Sequence, residues 1–214
     1  MTIKLHVFPH SPRAFKVLAV AHHLGIDYDL EFCDLIKGAT RAPGFEHLNP
    51  NLKMPVLEED GFKLWESNAI IQYLAEKHPE AGLLPSDAKA RADVSRWMFW
   101  ESTTWDSACA TLAFERGVKP LLGLGQPDPV EVERGLRSFN AAATILDAHL
   151  KGREFISGDR LSLADFSVAA DLILEPFVQL PLGPYAEIRR WGATMTELPA
   201  WQTVIALQRP LVAA

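Results

Sequence analysis

Polar and apolar residues alternate near the start of the chain, from Ile3 to Val7, and this period of two predicts a β-strand. Ser11-Pro12 then has the composition of a helix start, with serine at the N-cap and proline in the first turn. Apolar residues follow at helical spacing until Gly25, which favours the end of the helix. A second alternating segment, residues 28–32, predicts another strand. A strand, a helix and a strand in this order predict a parallel pair of strands.

A hairpin and a further helix are predicted after an irregular segment. Residues 34–51 are polar and irregular, with at most one short helix. Residues 55–57 and 62–64 are apolar segments that flank the acidic turn of residues 58–61, and this pattern predicts a β-hairpin. Ser67-Asn68 then opens a helix. Its inner face is formed by Ile70, Ile71, Leu74 and Ala75.

The order of these elements, βαβ followed by ββα, is that of a thioredoxin-like domain, which we predict over residues 1–78. Residues 79–87 contain prolines and a glycine and are interpreted as a linker. Beyond the linker no strand pattern persists. One long helix is predicted from residue 88 to about residue 116, and a second over residues 130–150, with a break rich in glycine and proline between them. We therefore predict an all-helical domain over residues 88–214.

The charge of the chain excludes some partners. Its formal net charge is −6, which argues against nucleic acid because neutralising phosphates requires clustered Lys and Arg. No amphipathic segment rich in these residues is present that would bind anionic lipid. The apolar region of residues 166–185 is interrupted by acidic residues and prolines, so we do not expect it to cross a bilayer. We expect neither a nucleic acid nor a membrane partner.

Cysteine usage and the start of the chain bear on metals and location. Cys33 and Cys109 are far apart and lack metal-ligand spacing, so no metal site is predicted. Met1 leads directly into the first alternating segment, without the apolar stretch of a signal peptide. We expect the reducing cytoplasm as the location.

Four motifs follow one another along the chain: residues 11–17 (SPRAFKV), 49–57 (NPNLKMPVL), 64–70 (LWESNAI) and 157–165 (SGDRLSLAD). In order and separation they resemble the cytosolic glutathione S-transferase superfamily, in its serine-type, bacterial-like form. The resemblance covers nearly the whole chain. The second motif departs from the family pattern N-P-x-G-K-V-P-x-L, because Leu52 stands at the usual glycine and Met54 at the usual valine.

The resemblance implies an enzyme that activates the thiol of glutathione for attack on a small hydrophobic electrophile, or on a peroxide. A free thiol has a pKa of about 8.5 and is mostly protonated at neutral pH. Ser11 is implied as the catalytic residue, which donates a hydrogen bond to the thiolate and is not itself the nucleophile. The positive helix end would add further stabilisation. The alternative is that Ser11 only caps its helix.

The resemblance also implies the residues that bind the co-substrate glutathione. A cis bond between Met54 and Pro55 would let the Met54 backbone pair with the cysteinyl residue of the peptide, as an added strand does. Ser67 would hold the γ-glutamyl carboxylate at the helix start, and Glu66 the neighbouring ammonium group. Lys53 would meet the glycine carboxylate or the peptide backbone. Alternatively, Ser67 is a cap, the charges are solvated and the proline is trans.

A pocket for the electrophile is implied by the same resemblance. One wall is the first loop, with Phe8, His10 and Pro12. The other is a face of the long helix after the linker, with Trp105, Cys109 and Leu112. For these helical residues, plain core packing is the alternative.

Two further pairs of residues have an implied role. Thr40 and Arg41 lie in the irregular segment from which the family recruits another glutathione contact. Ser162 and Asp165 have the spacing of a reciprocal helix cap, for which we prefer a purely structural role.

The resemblance further implies a homodimer and a role in detoxification. A glutathione-dependent isomerase or dehalogenase on the same scaffold is one alternative function. A non-catalytic relative that binds proteins is another, although Lys53, Glu66 and Ser67 are all present.

Overall fold

The structure of the protein, a computed structural model, describes residues 2–208. The described chain folds as two units: residues 2–83 with residues 197–208, and residues 84–196. The division at residues 83 and 84 lies within the predicted linker. The ends of the two predicted domains, Met1 and residues 209–214, lie outside the described residues.

The first unit is built on a four-stranded sheet in the order β2-β1-β3-β4. Its strands are β1 (Ile3–Val7), β2 (Tyr28–Phe32), β3 (Val56–Glu59) and β4 (Phe62–Trp65). β1 is parallel to its neighbour β2 and antiparallel to its neighbour β3, and β3 is antiparallel to β4. This is the predicted thioredoxin-like arrangement, and the fold prediction is confirmed.

Three helices belong to this unit: α1 (Pro12–His23), α2 (Ser67–Lys77) and α10 (Pro199–Leu207). α1 begins at the predicted Ser-Pro pair. α10 packs on α1 through an edge-on contact between the rings of Phe15 and Trp201, whose centroids are 4.6 Å apart. The helical domain was predicted to extend to residue 214. Of its described residues, 197–208 belong instead to the first unit. Burial of Trp201 against Phe15 accounts for this correction, because two large aromatic side chains leave water together.

The hairpin turn is shorter than predicted. Glu58 and Glu59 extend β3, and only Asp60 and Gly61 form the turn, both with positive φ. A two-residue turn of this kind matches the twist of the paired strands. Glu59 pairs with Phe62 across the hairpin, and its carboxylate accepts a hydrogen bond from Tyr73 on α2.

The irregular segment between β2 and β3 contains two short 3₁₀ turns, Ala39–Arg41 and Phe45–His47, where at most one short helix was predicted. Each follows a glycine with positive φ, Gly38 and Gly44. Such residues reverse the chain without the strain that a Cβ atom would cause.

The second unit is helical. Its helices are α3 (Ala88–Trp100), α4 (Asp106–Ala113), α5 (Lys119–Leu121), α6 (Pro129–Leu150), α7 (Leu163–Ala169), α8 (Glu175–Val178) and α9 (Ala186–Thr196). Two π-helical turns, Glu101–Trp105 and Phe114–Val118, join α3, α4 and α5 into one run. The sequence predicted this run as a single helix ending near residue 116. The spacing of apolar residues does not reveal where the backbone hydrogen bonds of a helix change from the i→i+4 to the i→i+5 pattern.

α7 begins with the predicted capping box. The carboxylate of Asp165 accepts hydrogen bonds from the backbone and the hydroxyl of Ser162, both at 2.9 Å. Its other oxygen accepts from the backbone of Ile156 and from the indole of Trp191. Asp165 is fully buried, and this network ties the start of α7 to α9 and to the loop before it. In the described chain, no helix combines the length and apolar character that a membrane span requires.

Candidate active site

Ser11 stands between β1 and α1, at the N-cap position. Its backbone is extended (φ −81°, ψ 129°), and its hydroxyl makes no capping hydrogen bond to α1. The backbone N–H of Ser11 donates to the carbonyl of Phe8 at 2.8 Å, which folds the loop back on itself. Pro12 is the first residue of α1 and has no N–H. The unpaired N–H groups of the first turn therefore belong to the residues after Pro12. The hydroxyl of Ser11 therefore lies at the positive end of α1 and does not cap it.

Phe8, His10 and Pro12 surround Ser11 in the chain. The rings of Phe8 and His10 are 5.3 Å apart, and that of Phe8 is 5.7 Å from Phe32 at the end of β2. Phe8 is buried, whereas Phe32 is 54% exposed. Phe32 thus presents exposed aromatic surface next to Phe8, which lies in the loop before Ser11.

The loop that leads into β3 is organised by Asn49, a residue for which no role was predicted. Its amide group donates to the carbonyl of Lys53 at 2.7 Å, and its oxygen accepts from the backbone of Asn51 at 2.9 Å. The Met54–Pro55 peptide bond is cis, so that prediction is confirmed. Met54 and Pro55 are buried, and the side chain of Lys53 is exposed.

Leu52 adopts a left-handed backbone conformation, with φ 53°. This is the position where the family pattern has glycine. A leucine there is strained because its Cβ atom approaches the neighbouring backbone.

The start of α2 lies at the end of β4. Ser67 is the first helical residue, and Glu66 occupies the N-cap position with φ 72°. Ser67 is therefore not the N-cap, contrary to the alternative that the sequence left open. Ser67 is buried and Glu66 is exposed. The first-turn N–H groups of an α-helix have no partner within the helix and attract anions.

Strand register places these segments at one end of the sheet. His6 lies opposite Val56, and Val56 lies opposite Trp65. The chain therefore leaves β1 for Ser11, enters β3 from the Met54–Pro55 bond and leaves β4 for Glu66 at the same end. This end carries the predicted catalytic residue and the predicted glutathione-binding segments.

Two further residues near this end were missed. Lys16 on α1 is fully buried, and its ammonium donates to the side-chain oxygen of Asn68 at 3.2 Å. Asn68 is the second residue of α2, next to Ser67. A lysine among apolar residues on a predicted helix indicates a solvent-facing position, so no sequence pattern predicts this contact.

Thr40 and Arg41 lie in the first 3₁₀ turn. Thr40 is buried and Arg41 is exposed. Of the two, only the arginine side chain is open to a ligand in solution.

Trp105, Cys109 and Leu112 have fully buried side chains. The indole of Trp105 donates to the carbonyl of Val168 at 3.0 Å, and its ring lies 5.1 Å from that of Phe139. These contacts belong to the helical core. The structure thus favours core packing, the alternative that the sequence left open for the three residues.

Neither cysteine has the character of a reactive thiolate. Burial raises the pKa of Cys33 to about 11, and the charge of Glu31 adds to this effect. Burial also raises the pKa of Cys109 well above its ordinary value, assisted by nearby carboxylates. Both cysteines are free and stay protonated at neutral pH.

The helical unit contains one set of clustered acids within the described residues. Glu101, Asp106 and Asp171 are buried, with one oxygen of each within 4.8 Å of the others. Oxygen ligands of this kind suit hard cations. Ser167 donates to Glu101 at 3.1 Å, so part of the cluster is engaged within the protein.

Comparisons with known proteins agree with this geometry. A model of the glutathione S-transferase N-terminal domain matches residues 1–76, and a model of the C-terminal domain matches residues 129–191. Glutathione S-transferase 3 of Zea mays is 32% identical over 209 residues, which cover 95% of this chain and 93% of that protein. A glutathione S-transferase of Hyoscyamus muticus is 30% identical over 209 residues, which cover 96% of this chain and 98% of the relative.

A solved structure of glutathione S-transferase III in its apo form superposes with a TM-score of 0.87 at 30% identity, with 100% of each chain covered. The likeness therefore extends to sequence and fold over the whole length of both domains. The chain belongs to the glutathione S-transferase superfamily.

Proposed function

We propose that this protein conjugates glutathione to small hydrophobic electrophiles, with the hydroxyl of Ser11 donating a hydrogen bond to the glutathione thiolate. The observation that carries the proposal is the hydroxyl of Ser11, which does not cap α1 although the residue occupies the N-cap position. A serine that does not cap its helix leaves its hydroxyl for a ligand. The high pKa values of Cys33 and Cys109 leave glutathione as the source of the thiolate.

The energy required is modest. Lowering the pKa of a thiol by two units takes roughly 2.7 kcal/mol of preferential stabilisation of the thiolate. One charge-assisted hydrogen bond contributes about 1.5–3 kcal/mol, and the positive end of α1 adds to it. The thiol proton leaves to solvent, the sulfur lone pair forms the new bond to the electrophile, and the leaving group departs with its electron pair. With a peroxide, the same thiolate attacks one oxygen, the O–O bond breaks and the departing oxygen leaves as the alcohol. A second glutathione then attacks the resulting sulfenic acid, giving glutathione disulfide and water.

Glutathione itself would lie along the sheet end described above. Ser67 and the first-turn N–H groups of α2 would receive the γ-glutamyl carboxylate, and Glu66 the ammonium beside it. The backbone of Met54 would pair with the cysteinyl residue. Lys53 or Arg41, both exposed, would meet the glycine carboxylate.

The electrophile would rest on the aromatic surface next to the loop before Ser11. Phe8, His10 and Pro12 are the predicted residues there, and exposed Phe32 extends their surface. For Trp105, Cys109 and Leu112, full burial supports core packing rather than a wall of the electrophile pocket.

Calorimetric titration with glutathione tests the proposal directly. We expect binding with a Kd well below about 10 mM, at which binding is only about 2.7 kcal/mol favourable. Aryl halides, isothiocyanates and peroxides, assayed with glutathione, would then identify the electrophile class. An absence of binding would reject the transferase and leave the protein-interaction alternative.

We also propose that the protein acts as a homodimer in the cytoplasm, in detoxification. Exposed aromatic side chains on both units, among them Phe62, Trp65 and Phe99, offer apolar surface for a second copy. Light scattering should give twice the mass of one chain at micromolar concentration. A mass of one chain under those conditions would contradict the dimer and leave the glutathione site untouched.

A further inference from the structure

Lys16 occupies an interior position that lysine seldom takes. Its side chain is 0% exposed, on a helix whose neighbouring residues Phe15 and Val17 are equally buried. Removing an ammonium group from water costs several kcal/mol unless defined contacts compensate for it. A hydrophobic residue would fill this volume at lower cost, so the charge itself calls for a physical explanation.

The described contact of Lys16 points to the start of α2. Its Nζ donates to Oδ1 of Asn68 at 3.2 Å. Because an ammonium group can only donate, it holds the amide oxygen of Asn68 towards itself and turns the amide NH₂ away. The bond therefore fixes the second residue of α2 relative to α1, and Ser67 is the residue just before it.

The hydrogen bond of Lys16 lies at a place where α2 already favours an anion. The first turn of a helix carries open N–H groups and partial positive charge, and both favour a carboxylate.

We propose that Lys16 is a positioning residue for the γ-glutamyl end of glutathione, acting through Asn68 on the first turn of α2. The inference rests on the proposed function and extends it. Lys16 does not touch the ligand. It holds the start of α2 in place where the γ-glutamyl carboxylate binds.

The test compares Lys16→Met with the unchanged protein in calorimetric titrations with two ligands. One ligand is S-hexylglutathione, and the other is S-hexylcysteinylglycine, which lacks the γ-glutamyl group. We expect the variant to bind S-hexylglutathione roughly five-fold more weakly, as for coupled residues in one hydrogen-bond network. Binding of S-hexylcysteinylglycine should not change, and kcat at saturating glutathione should stay within about two-fold.

Three further variants exclude a merely structural effect. Asn68→Ala should reproduce the selective loss, and the double variant should be no worse than Lys16→Met alone. Lys16→Arg should retain part of the affinity because it keeps a hydrogen-bond donor for Asn68. Lys4→Met, on the exposed side of β1, is the control and should leave both ligands unaffected.

Equal weakening of both ligands, or no weakening of either, would overturn the inference. If Lys16→Met does not fold, titrations of Asn68→Ala and Lys16→Arg with the same two ligands test the inference. Failure of the unchanged protein to bind S-hexylglutathione would reject the proposed function and this inference together. Normal binding by that protein with an unaffected Lys16→Met would reject only the inference.

Discussion

Ser11 and Ser162 both stand in extended backbone immediately before a helix, yet their hydroxyls are used differently. The hydroxyl of Ser162 donates to the buried carboxylate of Asp165 at 2.9 Å. That carboxylate also accepts from the backbone of Ile156 and the indole of Trp191. The hydroxyl of Ser11 makes no capping bond to α1.

The residue three positions later also differs between the two serines. After Ser162 this residue is Asp165, which completes a reciprocal cap, whereas after Ser11 it is Ala14, which offers no polar group. Serine before a helix is thus an ambiguous signal by itself. An acidic residue at this spacing favours a reciprocal cap, whereas an N-cap hydroxyl without one can still accept from a backbone N–H, so only the folded structure shows that Ser11 does not cap α1.

The largest effect should come from removing the carboxylate of the structural cap. Asp165→Ala leaves four hydrogen-bond donors without an acceptor in the core, and we expect a loss of about 3–4 kcal/mol in the free energy of unfolding. Urea denaturation followed by tryptophan fluorescence measures it. Asp159→Ala, an exposed acid in the same loop, is the control and should stay within about 0.5 kcal/mol.

The two serines should then separate in stability. Ser162→Ala removes one hydroxyl from the cap and should cost about 1–2 kcal/mol. Ser11→Ala should change stability by less than about 0.5 kcal/mol because no capping bond is lost. Parallel urea titrations of the two variants measure the difference. Equal losses would mean that Ser11 is a structural cap after all, and the comparison would collapse.

Activity should show the reverse order. Ser11→Ala should lower kcat/KM at least about ten-fold, equivalent to roughly 1.4 kcal/mol, because the thiolate loses its donor. The pH–rate profile should shift to higher pH, since the thiol bound by the variant ionises less readily. Ser162→Ala, assayed at a temperature where it is folded, should retain its kcat/KM. A Ser11→Ala profile that coincides with the unchanged protein would remove Ser11 from the mechanism.

The smallest effect extends the comparison from hydroxyls to backbone strain. Leu52→Gly should raise the free energy of unfolding by about 0.5 kcal/mol, since relief of the left-handed strain exceeds the greater flexibility of glycine when unfolded. Leu52 is 41% exposed, so little packing is lost. Thermal unfolding measures the change.

The control for Leu52 is Leu35→Gly. Leu35 has a similar exposure of 38% but is not among the residues with positive φ, so this substitution should destabilise. If Leu52→Gly also destabilises, the side chain of Leu52 contributes more than its exposure indicates.

The fold was predictable where short-range patterns determine it. Alternation located β1 and β2, and the Ser-Pro pair located the start of α1. The position of α10 was not predictable in this way, because its packing on Phe15 joins residues far apart in the chain. Local periodicity shows which face of α10 is apolar but not which helix covers it.

The candidate site was predictable to the extent that motifs encode it. The cis bond before Pro55 and the place of Ser11 followed from motif positions. Lys16 and Asn49 did not, since their roles depend on contacts that only the folded chain creates. Helical spacing placed Trp105 and Leu112 on one face but could not distinguish a pocket wall from a core.

The discontinuous first unit has a consequence for synthesis of the protein. The side chain of Gln208 donates to the carbonyl of Pro9 at 2.9 Å, and Trp201 packs on Phe15, so the loop before Ser11 is supported by the far end of the described chain. During translation, residues 2–83 emerge from the ribosome long before Trp201 and Gln208. The domain that is made first is therefore completed last, after the whole helical unit has been translated. A nascent chain lacking α10 exposes the face of α1 that α10 covers in the folded protein.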